Sequence, residues 1–265
     1  MSVIKWLGWT FDTAASAYEI FRPGYVAELY KMIFDYITLN ESSNAVEIGI
    51  GSGQATLPIL KTGCKLTAVE YGAELSKLCR EKFKDYPNFS VVTNKFENES
   101  FSDNMYELVY SATAFHWVPE YIGYAKVFSM LKSGGAFARF ANHPYRDKGN
   151  LPLCEEMDRI YAEYYYKYYN KKQETPIEYS DEQALRIANI AKQYGFVDIK
   201  HALFHRTRTF SASEYITLLG TYSDHIAIKE SIRKEFFSKI EGAINDYGGS
   251  ITIYDTIDLQ LARKP

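Results

Sequence analysis

Apolar and polar positions follow two periods along the chain. In "YVAELYKMIFDYI" the residues Val26, Leu29, Ile33, Tyr36 and Ile37 recur at helical spacing, which predicts a helix with one buried face. A shorter helical stretch, "AASAYEIF", precedes it, and "NESSN" breaks it. Short apolar runs then take over: "AVEIG", "KLTAVEY", "FSVVT", "YELVYSA" and "AFARFA". Their length and continuous apolar character suit strands buried on both faces. Helical patterns separate them: one after Gly53 that stops at Gly63, then "AELSKLCREKF", then "EYIGYAKVFSML", with "DYPN" and "KSGG" as turns. Strands alternating with helices predict a parallel sheet, and right-handed crossovers restrict it to a doubly wound α/β topology.

After Asn142 the character changes. "EEMDRIYAEYYYKYYNKKQE" reads as one long aromatic helix with Ile160, Tyr164 and Tyr168 on a stripe. "DEQALRIANIAKQYGF" is a helix with an acidic first turn and a stop at Gly195. "VDIKHALFHRTRTF" is strand-like, "SASEYITLLGTYS" and "SIRKEFFSKIEGAIND" are helical, and "GGSITIYDTIDLQLARK" is a final strand entered through a Gly-Gly turn. The simplest organisation is a single domain over 1–265: an N-terminal helical cap at 1–40, an α/β core at 41–141, a helical lid or insertion at 142–195, and C-terminal strands with a further helical insertion at 196–265.

Composition narrows the function without naming it. The 265 residues are 46% hydrophobic and 24% charged, as in an ordinary globular protein. A net charge of −3 lacks the basic excess of a nucleic-acid surface, so no nucleic-acid partner is expected. No apolar run is long enough to span a membrane, and the N-terminus, broken by Gly8, Asp12 and Glu19, has no signal-peptide core. A cytoplasmic monomer or homodimer, with no membrane partner, is the expectation. Cys64, Cys79 and Cys154 form no CxxC pair and read as buried thiols in a reducing compartment. The 23 tyrosines would serve equally a ligand cavity or a core with wet edges.

The chemistry is concentrated in "AVEIGIGSGQAT", Ala45 to Thr56. A phosphate-binding P-loop would carry Lys and Ser/Thr after its last glycine, and "GSGQAT" has neither. A dinucleotide fingerprint, G-x-G-x-x-G, would place a third glycine where Gln54 stands. Here Gly49, Gly51 and Gly53 occupy every second position, with Glu47 two residues ahead: E-x-G-x-G-x-G. That pattern resembles motif I of the class I S-adenosylmethionine-dependent methyltransferases. Further segments resemble the same family: "YEIFRPGYV" ahead of motif I, "NKFENESFSDNMYELVYSATAFHWV" at the adenine-contacting turn and fourth strand, and "VFSMLKSGGAFA" at the fifth. "RTRTFSASEYITLLGTYS" is similar to the branch that includes trans-aconitate methyltransferase and ubiquinone-biosynthesis-like enzymes.

The resemblance implies a Rossmann-like, seven-stranded, mostly parallel sheet with helical insertions after strands 5 and 6. It implies S-adenosyl-L-methionine as cofactor and a small-molecule methyl acceptor. Gly49, Gly51 and Gly53 would line the cofactor and Glu47 would support their loop. Glu70, ending the next strand about 20 residues on, would accept hydrogen bonds from the ribose diol, although an acid at that distance also marks nicotinamide-dinucleotide sites. Tyr71 would cover one adenine face, and Phe96 and Glu97 would form the adenine turn. Lys95 stands where many relatives carry an acid, so that hydrogen bond to adenine is either absent or supplied by Glu97. Ser111, Ala112 and Phe115 would flank the methionine portion, with Tyr18, Arg22 and Tyr25 closing over it and Arg22 meeting its carboxylate.

Methyl transfer from a sulfonium needs a base only for a protonated acceptor. His116, in "AFHWV", is the candidate catalytic residue, or else a packing residue that shapes the pocket. Arg139, His143 and Arg146 follow the fifth strand, where an anionic acceptor such as a carboxylate would meet them, or they are solvated loop cations. His201 and His205 lie too far apart along a strand to chelate one ion, so no metal is expected. The Tyr-rich segment 161–169 reads either as a lid or as an amphipathic helix. Two rival functions stay open: an NAD-dependent oxidoreductase, and a non-catalytic cofactor-binding relative.

Overall fold

The computed structural model describes residues 24–265; Tyr18 and Arg22 lie outside the described residues. The elements are α1 (Ala27–Tyr36), β1 (Asn44–Ile48), α2 (Thr56–Leu60), β2 (Lys65–Glu70), α3 (Ala73–Lys82), β3 (Phe89–Thr93), β4 (Tyr106–Ala112) and α4 (Glu120–Met130). They continue with β5 (Leu131–Tyr145), α5 (Leu151–Tyr161), α6 (Asp181–Ile190), β6 (Val197–Ser211), α7 (Ala212–Leu219), α8 (Ser223–Ile226), α9 (Glu230–Asp246) and β7 (Ser250–Arg263). The strands form one seven-stranded sheet in the order β3-β2-β1-β4-β5-β7-β6. The pairs β1/β2, β2/β3, β1/β4 and β4/β5 are parallel. This is the doubly wound sheet expected from the alternation, with helices after both β5 and β6.

The strand order reverses between β1 and β4. In such sheets the crevice for a ligand opens outside the carboxyl ends at that switch point, because the crossovers leave to opposite sides. Gly49 and Thr113, the residues that follow β1 and β4, therefore stand at its two rims. The registers Glu47↔Ala68 and Glu47↔Tyr110 fix the relative heights of the three central strand ends.

The chain divides into two compact units, with the divisions falling near the end of β5 and within β6 and β7. The larger comprises residues 24–142, 179–204 and 257–265. Its sheet buries one apolar cluster on each face. On one side Leu29, Tyr30, Ile33 and Tyr36 of α1 pack with Leu66, Leu108, Tyr110 and Phe140. On the other, Tyr124, Val127 and Met130 of α4 pack with Val46, Val109, Phe115 and Phe137. The α1 stripe is as the spacing predicts, except that Val26 and Ile37 cap the helix in extended conformation.

The second unit, described for residues 143–178 and 205–256, has its own core of Leu153, Met157, Ile160, Phe236, Ile240 and Ile244. The predicted long aromatic helix starts earlier, at Leu151 under an Asn150 cap, and widens to a π-turn over Ala162–Tyr166. It ends at Asn170, whose φ is 49°. The tyrosines there point their hydroxyls at partners within the unit: Tyr161 to His225, Tyr164 to Glu235 and Tyr165 to Asp224. Burial alone would raise the Asp224 carboxyl, but hydrogen bonds and charge from His225, with help from Tyr165, hold it well below the usual range. Among the described residues no helix is long and apolar enough to cross a membrane.

Candidate functional site at the carboxyl ends of β1, β2 and β4

The glycine loop turns through left-handed backbone at each expected position: φ is 70° at Gly49, 58° at Gly51 and 80° at Gly53. L side chains are disfavoured there. Space imposes the same choice. A Cβ on Gly49 would lie 2.4 Å from the Cβ of Ala114, and one on Gly53 would lie 2.6 Å from the Phe83 ring. The loop is tied down at several points. The Gly49 amide donates to the Val69 carbonyl at 2.9 Å, the Cys79 thiol donates to Gly51 O at 3.2 Å, and Lys82 Nζ donates to Ser52 O at 2.9 Å.

Glu70 ends β2 beside this loop and is buried. Its two carboxylate oxygens accept from different backbone amides: Oε2 from Gly51 and Oε1 from Gly72, both at 2.9 Å. These two bonds to opposite oxygens fix the orientation of the carboxylate. The second glycine of the loop and the residue that caps α3 thus share one acid.

Glu47 is fully buried within β1. Its Oε2 accepts from Thr56 Oγ1 and from the Tyr110 hydroxyl, both at 2.7 Å. Burial pushes its carboxyl up to about 7; the two hydrogen bonds pull the other way, and the Glu70 charge adds to the rise. The support it gives the loop runs through Thr56 in α2.

The remaining expected residues gather on the same strand ends. Tyr71 is exposed, with Lys95 Nζ 5.2 Å from its ring centre. Phe96 and Glu97 form a short 3-10 turn after β3, but the Phe96 ring is buried in the core beside Phe101. Only the backbone of Phe96 is left to meet a ligand. Ser111 donates its hydroxyl to Ile48 O at 2.9 Å and so bridges β4 to β1, while Ala112 ends β4 half-buried. Phe115 is buried edge-on against Tyr124, and Gly123 makes room for it, since a Cβ there would lie 2.7 Å from the ring. His116 is exposed on the 3-10 turn Phe115–Trp117, its ring 5.0 Å from Trp117.

Some residues at this end of the sheet carried no sequence signal. Thr113 has φ 54°, a rare conformation for a β-branched residue and a kind of strain that clusters at functional sites. Its Oγ1 pairs with the Tyr25 hydroxyl at 2.7 Å and accepts from the Asn142 amide at 3.3 Å. Next to it, buried Asp258 accepts from the Ala141 amide and from the Tyr179 hydroxyl, each at 2.8 Å, and from the Gln260 amide. Gln260 Oε1 is buried without a hydrogen-bond partner among the described residues.

The three cations after the fifth strand separate. Arg139 reaches the Tyr124 hydroxyl at 3.3 Å, lies over the Phe115 ring and has no acidic partner among the described residues. Arg146 is paired with Asp158 at 2.7 Å, and His143 sits within β5. His201 lies on β6, as expected, and faces Asp181 at 3.0 Å. The three cysteines are buried, their thiols donating to carbonyls.

A Rossmann-like sheet with a glycine bend after its first strand and a buried acid ending its second defines a nucleoside-binding α/β protein. Residues 46–138, which include every expected site residue from Glu47 to His116, match the methyltransferase-domain family model. An uncharacterised methyltransferase of Schizosaccharomyces pombe is 25% identical over 218 residues, 82% of this chain and 80% of that one. Among solved structures, a protein of Anaeromyxobacter dehalogenans assigned as a type II methyltransferase superposes with TM-score 0.62 at 17% identity, over 92% of this chain and 98% of that one. Phosphoethanolamine N-methyltransferase 2 of Haemonchus contortus gives TM-score 0.56 at 14% identity over 96% of this chain, which spans 57% of that protein's length. At these identities the solved structures establish the fold. The chain carries a methyltransferase domain over residues 46–138, on the fold of the class I S-adenosylmethionine-dependent methyltransferases. It is an enzyme of that class, with S-adenosyl-L-methionine as cofactor.

Proposed function

We propose that the protein methylates a small-molecule acceptor, with the cofactor seated against Gly49, Gly51 and Gly53. The observation that carries this reading is the Glu70 carboxylate, which is buried and pinned by the Gly51 and Gly72 amides. A fixed acceptor-only group at a glycine bend suits a sugar diol that donates twice. Tyr71 covers the adenine, the turn at Phe96 and Glu97 meets its edge through the backbone and the Glu97 carboxylate, and the strand end at Ser111, Ala112 and Phe115 flanks the methionine portion. When bound, the cofactor supplies an electrophilic methyl on a sulfonium. The chain's own contribution is to orient the reactants in line and to exclude water.

Arg139 favours an anionic acceptor, a carboxylate among them, because its guanidinium has no acidic partner among the described residues and stands beside Phe115. Exposed His116 serves a protonated acceptor as base, and no metal takes part. Calorimetry tests the reading against its rivals. Adenosylmethionine and adenosylhomocysteine are expected to bind and NAD is not. Binding of NAD alone would make the protein an oxidoreductase, and binding of the first two with no turnover across carboxylates, phenols, amines and thiols would make it a non-catalytic relative.

A further inference from the structure

The buried acid of the glycine motif has no counter-ion among the described residues. Glu47 is 1% exposed, and its two partners, Thr56 and Tyr110, are neutral hydroxyls. Among the described residues no Lys, Arg or His comes within ion-pair distance of it. The titratable groups that face it are Tyr30 from α1, Tyr110 from β4 and Glu70 from β2, with Tyr25 beyond Tyr30. None of these can be positive, and both tyrosines that face it directly have their hydroxyls pushed up by burial and by the Glu47 charge itself. An isolated carboxylate in such surroundings is costly, so the group holds its proton to higher pH than an exposed glutamate does, and a positive charge brought close would release it.

The cofactor brings that charge. Adenosylmethionine carries a sulfonium that its product, adenosylhomocysteine, lacks, and the two are otherwise nearly the same shape. We propose that Glu47 is a charge-sensing specificity residue: it ionises when the sulfonium cofactor occupies the glycine loop and stays protonated with the neutral thioether product, so that proton release favours cofactor over product. The inference rests on the reading of Gly49–Gly53 as the cofactor's seat. The step is a simple ionisation. The Glu47 O–H bond breaks, its proton passes to the buffer, and the electron pair stays on the carboxylate.

The test is calorimetry of both ligands in buffers of different ionisation enthalpy, at about pH 6 and about pH 8, on either side of the buried group's titration. At the lower pH, adenosylmethionine is expected to release close to one proton more than adenosylhomocysteine; in Glu47→Gln the difference vanishes. Measured relative to that variant, the preference for cofactor over product should rise on the order of tenfold between the two pH values, as for opposite charges separated by several ångströms of protein. The ligand amino groups titrate in both proteins, so only the difference between them is read. Tyr110→Phe gives a second readout if Glu47→Gln does not fold. Losing a donor to the carboxylate should move the window of proton release to higher pH. Equal proton release by the two ligands in the wild type, or an unchanged difference in Glu47→Gln, overturns the proposal. Failure of both ligands to bind the wild type overturns the cofactor reading instead.

Discussion

Glu70→Ala is expected to weaken adenosylmethionine and adenosylhomocysteine binding alike, by about 1–3 kcal/mol, or roughly fivefold to more than a hundredfold. Two losses combine. The diol loses its acceptor, and the Gly51 and Gly72 amides, each 2.9 Å from a Glu70 oxygen, lose theirs. The second loss loosens the loop even without ligand, so the melting temperature should fall as well. Glu70→Gln separates the contributions. Its amide nitrogen would face one of the two backbone N–H groups, so one anchor becomes a repulsion while the volume is kept. Titration calorimetry beside thermal unfolding reads both effects. Wild-type affinity in Glu70→Ala would remove the residue from the site.

The second large effect is on stability. Gly49→Ala introduces a Cβ 2.4 Å from that of Ala114 at a residue with φ 70°, so it combines left-handed strain with overpacking against a short, stiff neighbour. Strain of about 1–2 kcal/mol and overpacking of about 1–3 kcal/mol predict a loss of roughly 2–5 kcal/mol. Gly134→Ala is the control. Its φ of 78° is similar, but nothing lies within 4 Å of the added atom, so only the backbone cost applies. Denaturant unfolding should therefore show Gly49→Ala well below Gly134→Ala. Equal losses would mean that Ala114 moves aside, and that the close approach of the β1 and β4 ends is not enforced.

Much of this architecture is legible in the sequence because central strands of a parallel sheet are buried on both faces and so write themselves as apolar runs. "YELVYSA" is β4 as observed, and the α1 stripe is buried where the spacing predicts; "FSVVT" is β3, but it forms the edge of the sheet and none of its residues is fully buried. Departures occur where tertiary contacts override local pattern. "KSGG" reads as a turn, yet β5 begins at Leu131 and runs through it with a register shift opposite Tyr106 and Leu108. The helix after Gly53 spans only Thr56–Leu60. The tyrosine segment widens into a π-turn, which no 3.6-residue periodicity announces.

The site divides in the same way. Glycine spacing shows the positive-φ bend because glycine is the residue that such backbone selects. The aim of a side chain is not written locally. Phe96 lies in the expected turn with its ring in the core, and the Ser111 hydroxyl is held by β1. Thr113 gives no warning of its left-handed backbone, and Asp258 meets Tyr179 across 79 residues of sequence.

A crystal structure of the protein with adenosylhomocysteine decides the central claim. The expected result is density along Gly49–Gly53 with both ribose hydroxyls within hydrogen-bond distance of the Glu70 carboxylate and the adenine against Tyr71. Nucleoside density elsewhere on the molecule, or a bound ribose that points away from Glu70, would contradict it.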